Sequence, residues 1–171
     1  MSVVISNTTP INYLVLIDQI EVLRHLYTRV MIPQAVLDEL QDDGTPGKVK
    51  AWVASHPEWL DVRTVSAPVD PVLAFLDVGE REAISLAKEV QADALIIDEP
   101  DGREAAQRQG LRVIGTLRVL YDAAEAGLCE LEQVYDRLQQ TTFRAHPQLF
   151  KAFLDAYIQR RESPGSQGGS T

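Results

Sequence analysis

Short apolar runs alternate with amphipathic stretches along the chain, and this alternation predicts the fold. Residues 3–6, 30–32, 94–98 and 113–114 form apolar runs that are too short for helices and therefore predict buried strands. Residues 60–65 alternate apolar and polar positions and predict a more exposed strand.

Helices are predicted between these strands. Their strongest signal is an apolar face formed by Ala83, Ile84, Ala87 and Val90 at helical spacing. Further helices are predicted over residues 10–17, 20–26, 33–40, 49–55, 72–76, 103–109, 117–126, 130–139 and 147–161. Strands that alternate with helices predict an α/β doubly wound fold with a parallel sheet.

The domain organisation follows from length and composition. A chain of 171 residues is long enough for one domain with a sizeable core. We expect one domain over residues 1–162, with its core in residues 2–125 and C-terminal helices in residues 130–161. Residues 163–171 (SPGSQGGST) lack apolar side chains, so we expect a disordered tail.

The cysteine, histidine and apolar content narrows the class of protein. Cys129 is the single cysteine, so no internal disulfide can form, and the three histidines stand too far apart for a Cys/His metal motif. The chain opens with no signal peptide, and no apolar run reaches the roughly 18 residues of a membrane span. These features predict a cytoplasmic protein without a membrane association.

The formal net charge of −9 argues against a protein that coats nucleic acid by charge alone. It is compatible with an enzyme that holds cations in an acidic pocket beside a local basic rim.

Asp98 is a candidate site residue because it ends a predicted buried strand. Ligands of open parallel sheets lie just outside the carboxyl ends of strands. A Pro/Gly turn follows at residues 99–102, so an alternative is that Asp98 caps a helix beginning near Asp101 or Gly102.

Three further residues can meet Asp98 in one crevice. Asn7 also follows a predicted strand, Glu80 opens the helix that leads into residues 94–98, and Glu39 lies on the helix over residues 33–40. The alternative for Glu39 and Glu80 is solvated helix surface. Carboxylate and amide oxygens are hard ligands that suit Mg²⁺ or Mn²⁺, and such a pocket supports phosphodiester cleavage.

Five segments resemble a PIN domain, over about residues 2–125. They are VVISNTTPINYL, VMIPQAVLDEL, DVGEREAISLA, ALIIDEPDGREAAQRQGL and RVIGTLRVL. The likeness is to small bacterial and archaeal PIN-like proteins described as predicted nucleic-acid-binding proteins, and VapC-type toxins belong to the same superfamily.

The resemblance implies a five-stranded parallel sheet of order 3-2-1-4-5, flanked by helices on both faces, and a metal-dependent ribonuclease. It places the acidic site on Asn7, Glu39, Glu80 and Asp98, with Asp101 as a further metal ligand beside the three carboxylates. The family normally carries Asp where this chain has Asn7, so one negative charge is missing.

Four residues are candidates for the rim of that site. Thr8 and Thr9 can hydrogen-bond the carboxylates or a phosphate, with capping of the first helix as the alternative role. Arg103 and Arg108 can contact RNA phosphates, with solvated helix surface as the alternative.

The leading interpretation is a Mg²⁺- or Mn²⁺-dependent endoribonuclease that cleaves single-stranded RNA, as the toxin of a toxin–antitoxin pair. The alternative is a PIN-fold module, catalytically weakened by Asn7, that binds RNA or a partner protein. A phosphoacceptor signalling domain and nucleotide-dependent chemistry lack their motifs here. We expect a homodimer, because the helices carry more apolar surface than one small sheet covers, and an antitoxin that places an arginine in the acidic crevice.

Overall fold

A five-stranded, all-parallel sheet forms the centre of the protein, whose computed structural model describes residues 2–163. The strand order is β3-β2-β1-β4-β5, which confirms the predicted order. The strands are β1 (Val3–Ser6), β2 (Arg29–Pro33), β3 (Leu60–Arg63), β4 (Ala94–Ile96) and β5 (Val113–Ile114).

Helices connect the strands and cover both faces of the sheet. They are α1 (Thr8–Leu16), α2 (Val22–Leu26), α3 (Gln34–Leu40), α4 (Gly47–Ala54), α5 (Val78–Glu89), α6 (Pro100–Arg108), α7 (Thr116–Glu125), α8 (Leu131–Gln139) and α9 (Pro147–Glu162). A 3-10 turn at Pro71–Leu73 replaces the helix predicted over residues 72–76.

Two apolar cores lie on opposite faces of the sheet. Val4 and Ile96 belong to the core that α1, α7 and α8 complete, whereas Ile5 and Leu95 belong to the core under α5 and α6. Successive side chains of a strand point to opposite faces, so each apolar run supplies both cores. This explains why the predicted strands are continuously apolar rather than alternating.

Strands β1 and β4 are neighbours, and the order of the sheet reverses between them. Ser6 pairs with Ile96, and the amide of Asn7 donates to the carbonyl of Ile96 at 2.9 Å. The carboxyl ends of both strands therefore open into one crevice, which is where doubly wound sheets bind ligands.

Two predicted boundaries differ from the structure near this crevice. Strand β4 ends at Ile96 rather than at Asp98, because its neighbours β1 and β5 end at Ser6 and Ile114, the residues that pair with Ile96. Helix α1 begins at Thr8 rather than at Pro10, because the Thr9 hydroxyl is bonded to Glu99 and caps no backbone amide.

The structure describes the chain without its two ends. Met1 and residues 164–171 lie outside the described residues, and so does nearly all of the tail predicted to be disordered. Within residues 2–163, none of the helices has both the length and the apolar character needed to cross a membrane.

Candidate functional site

Asn7 lies at the centre of the crevice, directly after β1. Its side chain is 3% exposed, and its Nδ2 donates to Glu99 Oε2 at 3.2 Å. Its Oδ1 is buried without a hydrogen-bond partner among the described residues. A buried acceptor without a donor is costly, so this oxygen is suited to a group that supplies positive charge.

Thr8 and Thr9 bind carboxylates rather than cap α1. The Thr8 hydroxyl donates to Glu39 Oε2 at 2.5 Å, and the Thr9 hydroxyl donates to Glu99 Oε1. Helix α1 has no side-chain cap at its N-terminus. The capping role predicted for Thr9 is therefore wrong, because carboxylates reached through the fold take the hydroxyl that a cap would use.

Glu80 is held at the start of α5 by a capping box. The Asp77 side chain accepts from the Glu80 amide at 2.8 Å, while Glu80 Oε2 accepts from the Asp77 amide at 3.3 Å. Glu80 is only 7% exposed. Burial, followed by the negative charges of Asp77 and Glu99, raises the pKa of Glu80 to about 7.

Glu39 reaches the same region from α3. Burial raises its pKa, the Thr8 hydroxyl and the Gly79 amide act in the opposite direction, and the charges of Asp77 and Glu99 raise it further. A Cβ at Gly79 would collide with the Glu39 carboxylate, so replacing this glycine would displace that carboxylate. Glycine therefore allows the start of α5 to approach Glu39.

Glu99 is the site residue that sequence reasoning missed. It is bonded to Asn7 and Thr9, and its charge raises the pKa of Glu39, Glu80 and Asp98. The sequence feature that could have identified Glu99 is its position in the segment DEPD, where it directly follows Asp98. Neighbouring residues in extended backbone point in opposite directions, so only one of the two acids can face Asn7.

Asp98 is bonded to the start of α7. Its Oδ1 accepts from the Thr116 amide at 2.8 Å, and its Oδ2 accepts from the Thr116 hydroxyl at 2.6 Å. Burial raises the pKa of Asp98, and both bonds from Thr116 lower it. The proposed capping of the helix after Asp98 is wrong: Asp98 supports α7 instead of α6, which has no side-chain cap.

The three remaining candidate residues all lie on α6, but their side chains have different surroundings. Asp101 is exposed, and its charge contributes to the raised pKa of Glu80. Arg103 turns inward and donates to the carbonyl of Ile97 at 2.9 Å. Arg108 is exposed and pairs with Glu104 at 2.6 Å along α6.

Thr116→Val should destabilise the protein by about 1–3 kcal/mol, because the Asp98 carboxylate loses a donor in a buried setting. In a protein of this size that loss lowers the melting temperature by about 3–10 °C. The effect should be larger at pH 8 than at pH 4, since the lost bond stabilises the ionised carboxylate. Thermal melting measures both effects. Thr64→Val, at an exposed position, is the control, and equal melting of the two variants would contradict the role of Asp98.

Comparison with known proteins identifies the family of this chain. The sequence matches the family DUF3368, described as a PIN domain, over residues 3–158. The chain belongs to this family. PIN domains are in general nucleases and RNA-binding modules, and they typically use divalent metals.

One solved structure similar to this PIN domain is a PilT N-terminus domain protein from the hyperthermophilic archaeon Sulfolobus solfataricus P2. The two are 18% identical with a TM-score of 0.46, and the likeness covers 85% of this chain and 100% of the other. The comparison with curated proteins finds no significant match.

The donor atoms of this PIN domain fit a hard divalent cation. Asn7 supplies a buried acceptor that has no partner among residues 2–163, and Glu99 is bonded to Asn7. Glu39 and Glu80 lie close enough to Glu99 for its charge to raise their pKa. Within residues 2–163, no three His, Cys, Asp or Glu side chains are already spaced to hold one metal ion. Mg²⁺ usually keeps several waters in proteins, a mode of binding that needs no preformed cage.

Proposed function

We propose that this PIN domain is a Mg²⁺- or Mn²⁺-dependent endoribonuclease that cleaves single-stranded RNA. The supporting observation is the proximity of Glu39 and Glu80 to Glu99, whose carboxylate is bonded to Asn7, a residue that also carries an unpaired buried oxygen. Burial, and after it the like charges of Asp77 and Glu99, disfavour the ionised form of Glu80 and raise its pKa. A divalent cation would relieve that repulsion, and it is the cofactor that phosphodiester cleavage uses.

The residues that would hold the ion are Glu39, Glu80 and Glu99, with the amide oxygen of Asn7 and the carboxylates of Asp98 and Asp101 at the periphery. A bound divalent ion supplies charge stabilisation to the phosphate and acidifies a water molecule. Thr8 and Thr9 orient the carboxylates of Glu39 and Glu99, which limits the reorganisation needed on binding.

The proposal is tested by cleavage of a 5′-labelled single-stranded RNA. We expect cleavage with Mg²⁺ or Mn²⁺, none with EDTA, and recovery when Mn²⁺ is added back. Cleavage that persists in EDTA would contradict the metal-dependent mechanism. A Glu80→Gln preparation purified in parallel identifies contaminating ribonucleases, because these would act equally in both samples.

A second candidate function is a binding module without catalysis. The observation that favours it is Asn7, which leaves the site one carboxylate short of the pattern in the resembling family. In that case the protein binds RNA without cleaving it at any divalent metal concentration, and Mn²⁺ gives little thermal stabilisation.

The proposal includes a cytoplasmic toxin role and a protein inhibitor. An antitoxin that places an arginine among Glu39, Glu80 and Glu99 would form bidentate ion pairs and exclude the metal. We also propose a homodimer, since Val72 and Phe75 are 61% and 67% exposed. A monomeric mass in light scattering at micromolar concentration would contradict the dimer.

A further inference from the structure

A second cavity lies beside the candidate site and is basic, although the whole chain has a formal net charge of −9. It encloses about 460 Å³ between the end of β5, the start of α7 and the connection of residues 140–146 that joins α8 to α9. This volume lies within the range of ~300–1,000 Å³ that ligand pockets occupy. Its lining includes Arg103, Arg112, Arg118 and Arg144.

Two of these four positive charges have an acid nearby and two do not. Arg118 pairs with Asp122 at 2.9 Å, and Arg103 lies close enough to Asp98, the carboxylate in the lining, for its charge to lower the pKa of that carboxyl. Arg112 and Arg144 form no ion pair with any residue of the described part of the chain, and both are exposed. The cavity is therefore suited to an anion.

Apolar side chains form the rest of the cavity wall. Phe143 and Phe153 line it together with Leu149. Phe143 packs edge-to-face against Tyr13 of α1 with ring centroids 5.1 Å apart. That packing fixes the connection of residues 140–146 against the body of the domain, and with it the backbone that carries Arg144. An anion that also presents flat apolar groups matches this wall.

The basic cavity continues into the crevice of the candidate site. Asp98, Pro100, Phe143 and Arg144 line both the basic cavity and the neighbouring cavity that contains Thr8, Thr9 and Glu99. A polymer with repeated negative charges can therefore lie in the basic cavity while its next unit reaches the acidic crevice.

We propose that this cavity, the basic groove, binds the phosphodiester backbone and a base of single-stranded RNA next to the position where the strand is cleaved. Arg112 and Arg144 contact phosphates, and the apolar wall packs against the base. This proposal rests on the proposed function, because that function identifies the bound strand as RNA. A duplex buries its bases in stacked pairs, so the apolar wall favours a single strand.

The test measures binding of a 3′-fluorescein 12-mer oligouridylate to the full chain by fluorescence anisotropy, in EDTA and over a series of salt concentrations. Arg112→Gln/Arg144→Gln should weaken binding at least about tenfold at low salt and reduce the salt slope by about 1–2. The matched control is Lys50→Gln/Arg63→Gln, which removes two cations at the β3 side of the sheet, the half-buried Lys50 of α4 and the exposed Arg63 of β3. Thermal melting checks that both variants fold.

Each outcome decides one of the two proposals. Equal affinity and salt slope of the two double variants would overturn the basic groove, even if wild-type protein cleaves RNA with Mn²⁺. Arginine-dependent binding in a protein that never cleaves RNA would support the groove and refute the nuclease. Binding of polyaspartate that depends on Arg112 and Arg144, without such dependence for oligouridylate, would assign the groove to an acidic protein partner and overturn the RNA assignment.

Discussion

Glu80→Gln is expected to reduce metal-dependent RNA cleavage at least about 100-fold, the loss typical of removing one electrostatic contact from an active site. The substitution removes a negative charge from the carboxylate cluster. Glutamine retains a side-chain oxygen that can accept from the Asp77 amide, so the capping box at the start of α5 is preserved. The loss of activity would therefore report the charge rather than the fold.

The same variant should be more stable than wild-type protein in EDTA at pH 8. The pKa of Glu80 is raised from 4.5 to about 7, so the folded state binds more protons than the unfolded state between these values. Stability is therefore lost as the pH rises from about 4.5 through about 7, and Glu80→Gln should flatten this decline. A gain of roughly 1 kcal/mol corresponds to a rise in melting temperature of about 2–4 °C.

Cleavage rates and melting curves between pH 5 and pH 8 measure both effects. Glu132→Gln is the matched control, because it removes the same charge from an exposed position on α8. Full cleavage activity in Glu80→Gln would remove Glu80 from the proposed site. Unchanged pH dependence would show that its carboxyl group is not crowded by Asp77 and Glu99.

Asn7→Asp is expected to increase RNA cleavage and Mn²⁺ binding while it destabilises the metal-free protein. The new carboxylate adds attraction for a divalent cation that an amide dipole cannot match. Without metal it replaces a 3.2 Å hydrogen bond to Glu99 by repulsion between a buried and a half-buried carboxylate. We expect the metal-free melting temperature to fall by about 3–10 °C, and the gain on adding Mn²⁺ to exceed that of wild-type protein.

The control for Asn7→Asp is Asn12→Asp, which adds the same charge to α1 at the edge of the crevice. Asp98→Asn is a second comparison, and it should mainly reduce stability, because Asp98 supports the start of α7. The metal-site proposal fails if Asn7→Asp and Asn12→Asp respond identically to Mn²⁺.

The parallel sheet agrees with what the residues predict, for a local physical reason, and its strand order agrees with what the resemblance to PIN domains implies. Continuous apolar runs such as residues 3–6 and 94–96 need burial on both faces, and a doubly wound sheet provides it. The predicted boundaries were less accurate where contacts far along the sequence set them. Strand β4 ends where the neighbouring strands β1 and β5 end, and the Thr9 hydroxyl is bonded to a residue 90 positions away.

The sequence by itself determined the alternation of strands and helices and placed Asn7 and Glu80 among the candidates, since strand ends and helix starts are readable from local patterns. The resemblance to PIN domains added the strand order and the place of Glu39, which lies within α3, in the acidic site. Only the tertiary structure decided that Glu99, and not Asp98, is bonded to Asn7. It also brought Arg144 beside the crevice, across more than one hundred residues of chain. These choices depend on where β4 ends and on how the connection after α8 packs against Tyr13, which are long-range contacts that no local pattern records.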